Sequence, residues 1–82
     1  MFILYERTTI HKVIVIGVTT DSTPRDLFRD LKRYCPKRDE PYYELFLVNK
    51  KGSKFICSAH RESHIDAYNA MVKKYYERRW KR

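Results

Sequence analysis

The segment CSAHRESH, residues 57–64, carries the side chains of this chain that are most capable of chemistry. Cys57, His60 and His64 follow the spacing C-x2-H-x3-H, and thiolate and imidazole groups are the ligands that Zn²⁺ takes in tetrahedral sites. Cys35 could supply a fourth ligand, but only by approaching from the far end of the first predicted helix. The usual second close pair of ligands is missing. The sequence therefore predicts no metal and no cofactor.

The same segment could perform acid–base catalysis on RNA. His60, Glu62 and His64 are close in sequence, and Arg61 could face a phosphate. However, Arg61 stands where the zinc-protease pattern H-E-x-x-H requires glutamate. Polar residues are also common in the first turns of a helix, and the chain has no glycine-rich phosphate loop or paired acidic motif. A small ribonuclease is therefore a third hypothesis, and a protein without catalytic activity is predicted.

The carboxyl-terminal stretch KKYYERRWKR, residues 73–82, is the second chemically distinctive segment. The chain has 18 Lys and Arg against 10 Asp and Glu, a formal net charge of +8. Six basic residues and one acid give this stretch +5 of that charge. Such a concentration favours nucleic acid over an anionic membrane surface or an acidic protein partner.

A helical wheel places Lys74, Arg78 and Lys81 on one ridge, on the face opposite the predicted core stripe. This ridge could follow a phosphate backbone, or it could be a solvated face that complements the helix dipole. Trp80 could stack on a base or fold back onto the sheet. A second basic cluster lies in the segment NKKGSK. The predicted nucleic-acid-binding residues are Lys50, Lys51, Lys54, Lys73, Lys74, Arg78, Arg79, Trp80, Lys81 and Arg82.

Hydrophobic periodicity predicts the elements that position these residues. Residues 2–7 and 12–18 are β-rich runs at hairpin spacing, and residues 42–48 and 54–58 flank a turn with Gly52 available for a positive φ angle. One helix is predicted from an N-cap at Thr23 to about Tyr34, and a second from about Ala59 almost to Arg82. The order ββαββα predicts an α+β fold, with a four-stranded antiparallel sheet and two helices in two layers, as a single compact domain over residues 1–82.

Apolar stripes indicate which side of each helix is buried. In the first helix the stripe contains Leu27, Phe28, Leu31 and Tyr34. In the second helix it contains Ile65, Tyr68, Val72, Tyr75 and Tyr76, so the two neighbouring tyrosines are predicted to lie in the core.

Both faces of the sheet are apolar in sequence. Val13 and Val15 are predicted to point away from Ile14, Ile16 and Val18, and Tyr42, Phe46 and Val48 away from Tyr43, Leu45 and Leu47. Two helices cover only one face, so the other is predicted to be occupied. A homodimer through that face is the main prediction, with another protein or bases stacked on Tyr42 and Phe46 as alternatives. A sheet twisted enough for the last helix to wrap both faces is the remaining explanation.

The first hypothesis is a small nucleic-acid-binding module that contacts the phosphates of DNA or RNA with low sequence specificity, because no base-reading array is present. The alternative from another class is a protein-binding regulator or inhibitor, a kind common in viruses and mobile elements. It would use its apolar sheet face or its basic surface to block a larger protein. The start MFILYERTTIHK does not resemble a signal peptide, and VIVIGV is too short to span a membrane. A cytoplasmic protein with two free thiols and no membrane partner is therefore predicted.

Overall fold

A computed structural model describes residues 1–80 of the chain, and the side chains of residues 1–78, and it confirms the predicted α+β fold. The elements in chain order are β1 (Phe2–Thr9), β2 (Lys12–Thr19), α1 (Arg25–Arg33), β3 (Tyr42–Asn49), β4 (Gly52–His60) and α2 (His64–Trp80). All neighbouring strands are antiparallel, in the order β2-β1-β3-β4.

A β-bulge changes which face one valine occupies. Leu4 pairs with Gly17 and Tyr5 pairs with Val15, so Ile16 is the extra residue on β2. A bulge reverses the alternation of side chains beyond it. Val18 therefore shares the uncovered face with Val13 and Val15, and its predicted place beside Ile14 and Ile16 is wrong.

The first helix packs its predicted stripe onto the sheet. Leu27, Phe28 and Leu31 are buried. A Cβ atom at Gly17 would lie 2.8 Å from Cδ2 of Leu27, so the glycine allows α1 to approach β2 closely. The predicted N-cap at Thr23 is wrong by one residue: Pro24 occupies that position, and its carbonyl accepts a hydrogen bond from the Phe28 amide at 3.0 Å.

The second helix starts later and is rotated relative to the prediction. Ala59 and His60 remain in β4 because they pair with Tyr43 and Tyr42. The buried stripe of α2 consists of Ala67, Met71 and Tyr75. Ile65 and Tyr76, by contrast, are 52% and 40% exposed, so their predicted burial is wrong. Ala67 is small enough to let the helix lie close to the sheet, and a search for large apolar residues misses it.

A buried carboxylate connects the sheet to the loop that follows α1. Glu6 of β1 is fully buried. It accepts hydrogen bonds from the Tyr34 hydroxyl at 2.6 Å and from the backbone amides of Lys37 and Arg38, at 3.0 Å and 3.3 Å respectively. These donors fix the loop between Pro36 and Pro41 and thereby the start of β3.

The helices lie on one face of the sheet and leave the other uncovered. Phe2, Leu4, Tyr43 and Leu45 are buried beneath the helices. The side chains that point the other way include exposed apolar groups, chiefly those of Val13, Val15, Val18 and Phe55. The prediction that both faces are apolar is confirmed, and the side chains of α2 that the structure describes, up to residue 78, pack on the first face only.

Candidate nucleic-acid interface

Helix α2 runs antiparallel to the edge strand β4, and two contacts show the alignment. Lys74 Nζ donates to the Ser58 carbonyl at 2.6 Å, and Arg78 Nη1 donates to the Ile56 carbonyl at 3.3 Å. Four helical residues advance about 6 Å and two strand residues about 6.6 Å, so helix and strand stay in step. The end of α2 therefore lies near the start of β4.

The hairpin between β3 and β4 begins at this same end of the molecule. Lys50 and Lys51 form its tip, where the Lys51 amide donates to Asn49 Oδ1 at 2.8 Å. Gly52 has a φ angle of 130°, as the turn prediction requires. Lys54 lies two residues before Ile56, the residue whose carbonyl Arg78 contacts. The fold thus brings the hairpin lysines next to the cations of α2.

The helical wheel predicts that Lys74 and Arg78 lie on the face opposite the buried stripe of α2, and this prediction is wrong. The stripe is centred on Ala67 and Met71, so Lys74 and Arg78 lie at its border and reach the backbone of β4. Each contact uses one N–H of a group that has several and leaves the charge unneutralised. Both residues are exposed. They therefore cover carbonyl groups of an edge strand and remain able to meet a phosphate.

One cation of this surface was not among the predicted nucleic-acid-binding residues. Arg61 follows β4 directly and lines a shallow depression of about 210 Å³ together with Ala70, Lys73, Lys74 and Glu77. Twelve residues separate Arg61 from Lys73 in the sequence, and only the reversal of the chain between β4 and α2 brings them together. Nothing in the local sequence around Arg61 indicates this placement.

A second shallow groove, of about 270 Å³, lies between β4 and α2. Its walls are Phe55, Ile56, Cys57, Ser58, Lys74 and Arg78. The groove shares Lys74 with the Arg61 depression, and the hairpin lysines lie further along the same band, at the start of β4. We call this band the basic stripe, and its described residues are Lys50, Lys51, Lys54, Arg61, Lys73, Lys74 and Arg78.

Acidic groups barely neutralise the basic stripe. Glu77 Oε1 lies 3.7 Å from Lys73 Nζ in an exposed pair, which is a weak interaction. Within the part of the chain that the structure describes, no ion pair involves the other six residues of the stripe. No acid occurs in residues 45–61. At the other end of the stripe, Arg61 also lines a wide depression of about 570 Å³ together with His60 and the acids Glu40, Glu62 and Asp66.

The side chains of four predicted site residues lie outside the part of the chain that the structure describes. Arg79 and Trp80 belong to α2, but their side chains lie outside the described residues. Lys81 and Arg82 lie outside them entirely. Their roles in binding remain predictions from the sequence.

The two candidate catalytic histidines make structural contacts. His64 Nδ1 accepts from the Tyr43 hydroxyl at 2.8 Å, and His64 Nε2 donates to the Lys32 carbonyl at 3.2 Å. His60 stacks on Tyr42, with ring centroids 5.3 Å apart and an angle of 11° between the planes. The predicted start of the second helix near Ala59 would place both imidazoles on one helix, and this is wrong because His60 belongs to β4. This arrangement favours roles in packing over acid–base catalysis.

The candidate zinc ligands are not assembled. Cys57 is buried beneath α2, whereas Cys35 is exposed. Among residues 1–80, the structure contains no group of three or more His, Cys, Asp or Glu side chains placed to hold a metal ion.

None of the helices described, α1 or α2, is long and apolar enough to cross a membrane.

Burial of Cys57 leads to a prediction about alkaline stability. Desolvation raises the pKa of its thiol from 9.0 to about 11, although Lys74 and Arg78 lower it in part. Above pH 9 the unfolded chain therefore loses this proton before the folded chain does, so the free energy of unfolding falls as pH rises, by about 1.4 kcal/mol per unit of pKa difference. We expect urea unfolding to show a loss of about 2 to 3 kcal/mol from Cys57 between pH 9 and pH 11.

The variant Cys57→Ala serves as the control for this prediction, since it removes the titrating group. Burial also raises the pKa values of Tyr34 and Tyr43, so part of the alkaline loss will persist in the variant. An equal loss in the variant and the natural chain would contradict the assignment to Cys57.

No protein-family model matches this chain, and searches of curated proteins and of solved structures gave no significant match.

Proposed function

We propose that this chain is a non-catalytic module that binds DNA or RNA by holding the phosphate backbone along the basic stripe. The observation that carries the proposal is the antiparallel alignment of α2 with β4, in which Lys74 and Arg78 contact Ser58 and Ile56. This alignment joins two basic clusters, far apart in the sequence, into one surface. A band of closely spaced cations is the arrangement that releases condensed counterions from a nucleic acid.

The length of the stripe suits several phosphates. Strand β4 has 9 residues, which extend over about 27 to 30 Å at about 3.3 Å per residue. Because duplex DNA carries one charge per about 1.7 Å of its axis, a band of this length passes several phosphates. Beside the described cations of the stripe there is no array of Asn or Gln side chains that could read base edges. The binding is therefore expected to depend weakly on nucleotide sequence.

The proposal leaves out catalysis because both histidines are engaged in packing contacts. The protein-binding regulator would use either the uncovered face of the sheet or the basic surface. Use of the uncovered face can be tested separately, because the cations of the basic stripe lie along the β4 edge and α2.

A salt titration tests the proposed function. Fluorescence anisotropy of a labelled oligonucleotide, single-stranded or duplex, gives Kd as a function of salt concentration. If all seven described cations meet phosphates, the slope of log K against log salt is expected to be about −6 for duplex DNA and about −5 for a single strand. A mixed-sequence competitor should displace the probe efficiently. A salt-independent Kd, or the absence of binding at low salt, would contradict the proposal.

A further inference from the structure

The uncovered face of the sheet carries apolar side chains on all four strands. Three rings form a row across β1, β3 and β4: the centroids of Tyr5 and Phe46 lie 5.8 Å apart, and those of Phe46 and Phe55 lie 5.7 Å apart. Phe55 is 49% exposed. Exposed valines of β2 continue this surface, namely Val13, Val15 and Val18.

Charge is balanced within this face. The side chain of Arg7 donates from Nε to Glu44 Oε1 at 2.6 Å, and these are the ionised side chains that β1 and β3 direct to the centre of the face. The chain as a whole has a formal net charge of +8. A neutral surface on a strongly basic protein does not attract a polyanion. It can, however, meet a copy of itself without bringing like charges into contact.

The area of the face is sufficient for a dimer. Strands of 8 or 9 residues extend about 27 Å, and four strands spaced about 4.8 Å apart cover about 19 Å. Two such faces in contact bury about 1,000 Å² of projected area, the lower bound for a specific interface, before the relief of the side chains is counted. Packed sheets lie about 10 Å apart with interdigitating side chains.

The relief of the face offers both a projection and a recess. Phe55 projects from β4, and next to it lies a shallow groove of about 240 Å³. The groove is lined by Tyr5, Arg7, Val13, Phe46, Val48 and Ser53. In a two-fold symmetric pair, a ring of each copy meets the groove of the other, which is the self-complementarity that such an interface requires.

We propose that the open face, consisting of the exposed valines of β2 and the row of Tyr5, Phe46 and Phe55, is the interface of a two-fold symmetric homodimer. The two sheets pack face to face, and the helices lie on the outside. The cations of the basic stripes lie outside this interface, although Phe55 also borders the groove that Lys74 and Arg78 line, so the dimer does not require nucleic acid. Screening of the +8 charges by salt strengthens the dimer, whereas salt weakens polyanion binding.

Sedimentation velocity of the nucleic-acid-free protein, at several protein concentrations and in low and high salt, tests the dimer. The natural chain is expected to show twice its mass of 10.0 kDa. Val15→Glu is expected to sediment as a monomer with an unchanged circular dichroism spectrum. Ile65→Glu is the matched control, because Ile65 is 52% exposed and Val15 is 53% exposed, and it should remain dimeric. Phe55→Glu provides a second interface variant in case Val15→Glu does not fold.

Three outcomes would overturn the proposal. The natural chain could sediment at 10.0 kDa throughout the concentration range, or folded interface variants could remain dimeric. In the third, the natural chain is a monomer and Tyr5→Ala, a change on the open face away from the basic stripe, weakens oligonucleotide binding. That result would make the face a platform for stacked bases. Loss of the salt-dependent binding alone would leave the dimer intact, so the two proposals fail in distinguishable ways.

Discussion

Replacement of Glu6 by alanine is expected to lower the free energy of unfolding by about 3 to 4 kcal/mol. The carboxylate is fully buried, and it accepts from the Tyr34 hydroxyl and from the amides of Lys37 and Arg38. Alanine leaves these donors without a partner beneath α1 and the loop. A fully buried donor left unpaired costs about 1 to 3 kcal/mol, and the lower part of this range applies to these three because Tyr34 and Arg38 are half-buried and Lys37 is exposed.

Variants at the same site separate the contributions. Tyr34→Phe removes one donor and leaves the carboxylate with its two amides, so a loss of about 1 kcal/mol is expected. The loss of unfolding free energy for Glu6→Gln should lie between those for Glu6→Ala and Tyr34→Phe, because the glutamine side chain presents an NH₂ group where an acceptor is needed. Glu62→Ala, at an exposed site, should change stability by less than about 0.5 kcal/mol. Urea unfolding followed by circular dichroism measures all four.

A loss of less than about 1 kcal/mol for Glu6→Ala would contradict the role assigned to this carboxylate. So would an effect of Glu6→Ala no larger than that of Tyr34→Phe, since the loop amides would then contribute nothing.

Glu6 also illustrates what the sequence does not indicate. The pattern FILYER predicts a strand and places Glu6 on the same face as Leu4, but nothing local shows that this position becomes fully buried. Its partners are about 30 residues further along the chain, in a loop whose path depends on the end of α1. The spacing of apolar residues predicts helices and strands because it is a local property of the sequence. Burial of a polar group such as Glu6, by contrast, depends on hydrogen-bond donors that are distant in the sequence.

The candidate site shows the same division. The basic tail and the hairpin lysines can be read from composition, and the turn at Gly52 from its residue type. The side of α2 that is buried cannot be predicted in this way, because Ala67 contributes little to a hydrophobic stripe and yet faces the sheet. That error placed Lys74 and Arg78 on the wrong side of the helix. Their alignment with β4 and the arrival of Arg61 follow from the packing direction of α2, which composition does not encode.

The triple variant Lys50→Ala, Lys51→Ala and Lys54→Ala is expected to weaken oligonucleotide binding about 100-fold at low salt. Each pair of opposite charges in contact in water contributes about 1 kcal/mol, so three lost phosphate contacts amount to about 3 kcal/mol. The slope of log K against log salt should become shallower by about 2 to 3. All three lysines are exposed, and none takes part in the ion pairs described for residues 1–80, so folding should be unaffected.

A matched triple variant separates local contacts from net charge. Arg25→Ala, Arg29→Ala and Lys32→Ala remove the same charge from exposed positions of α1, which packs on β2, at the other edge of the sheet from β4. Because charges beyond the Debye length of about 8 Å are screened at about 0.15 M salt, this variant should lose less than about 3-fold in affinity at that salt concentration and keep its salt slope. Anisotropy titrations of both variants at matched salt make the comparison. Equal losses would mean that oligonucleotides respond to total charge alone, and the alignment of the hairpin with α2 would then have no part in binding.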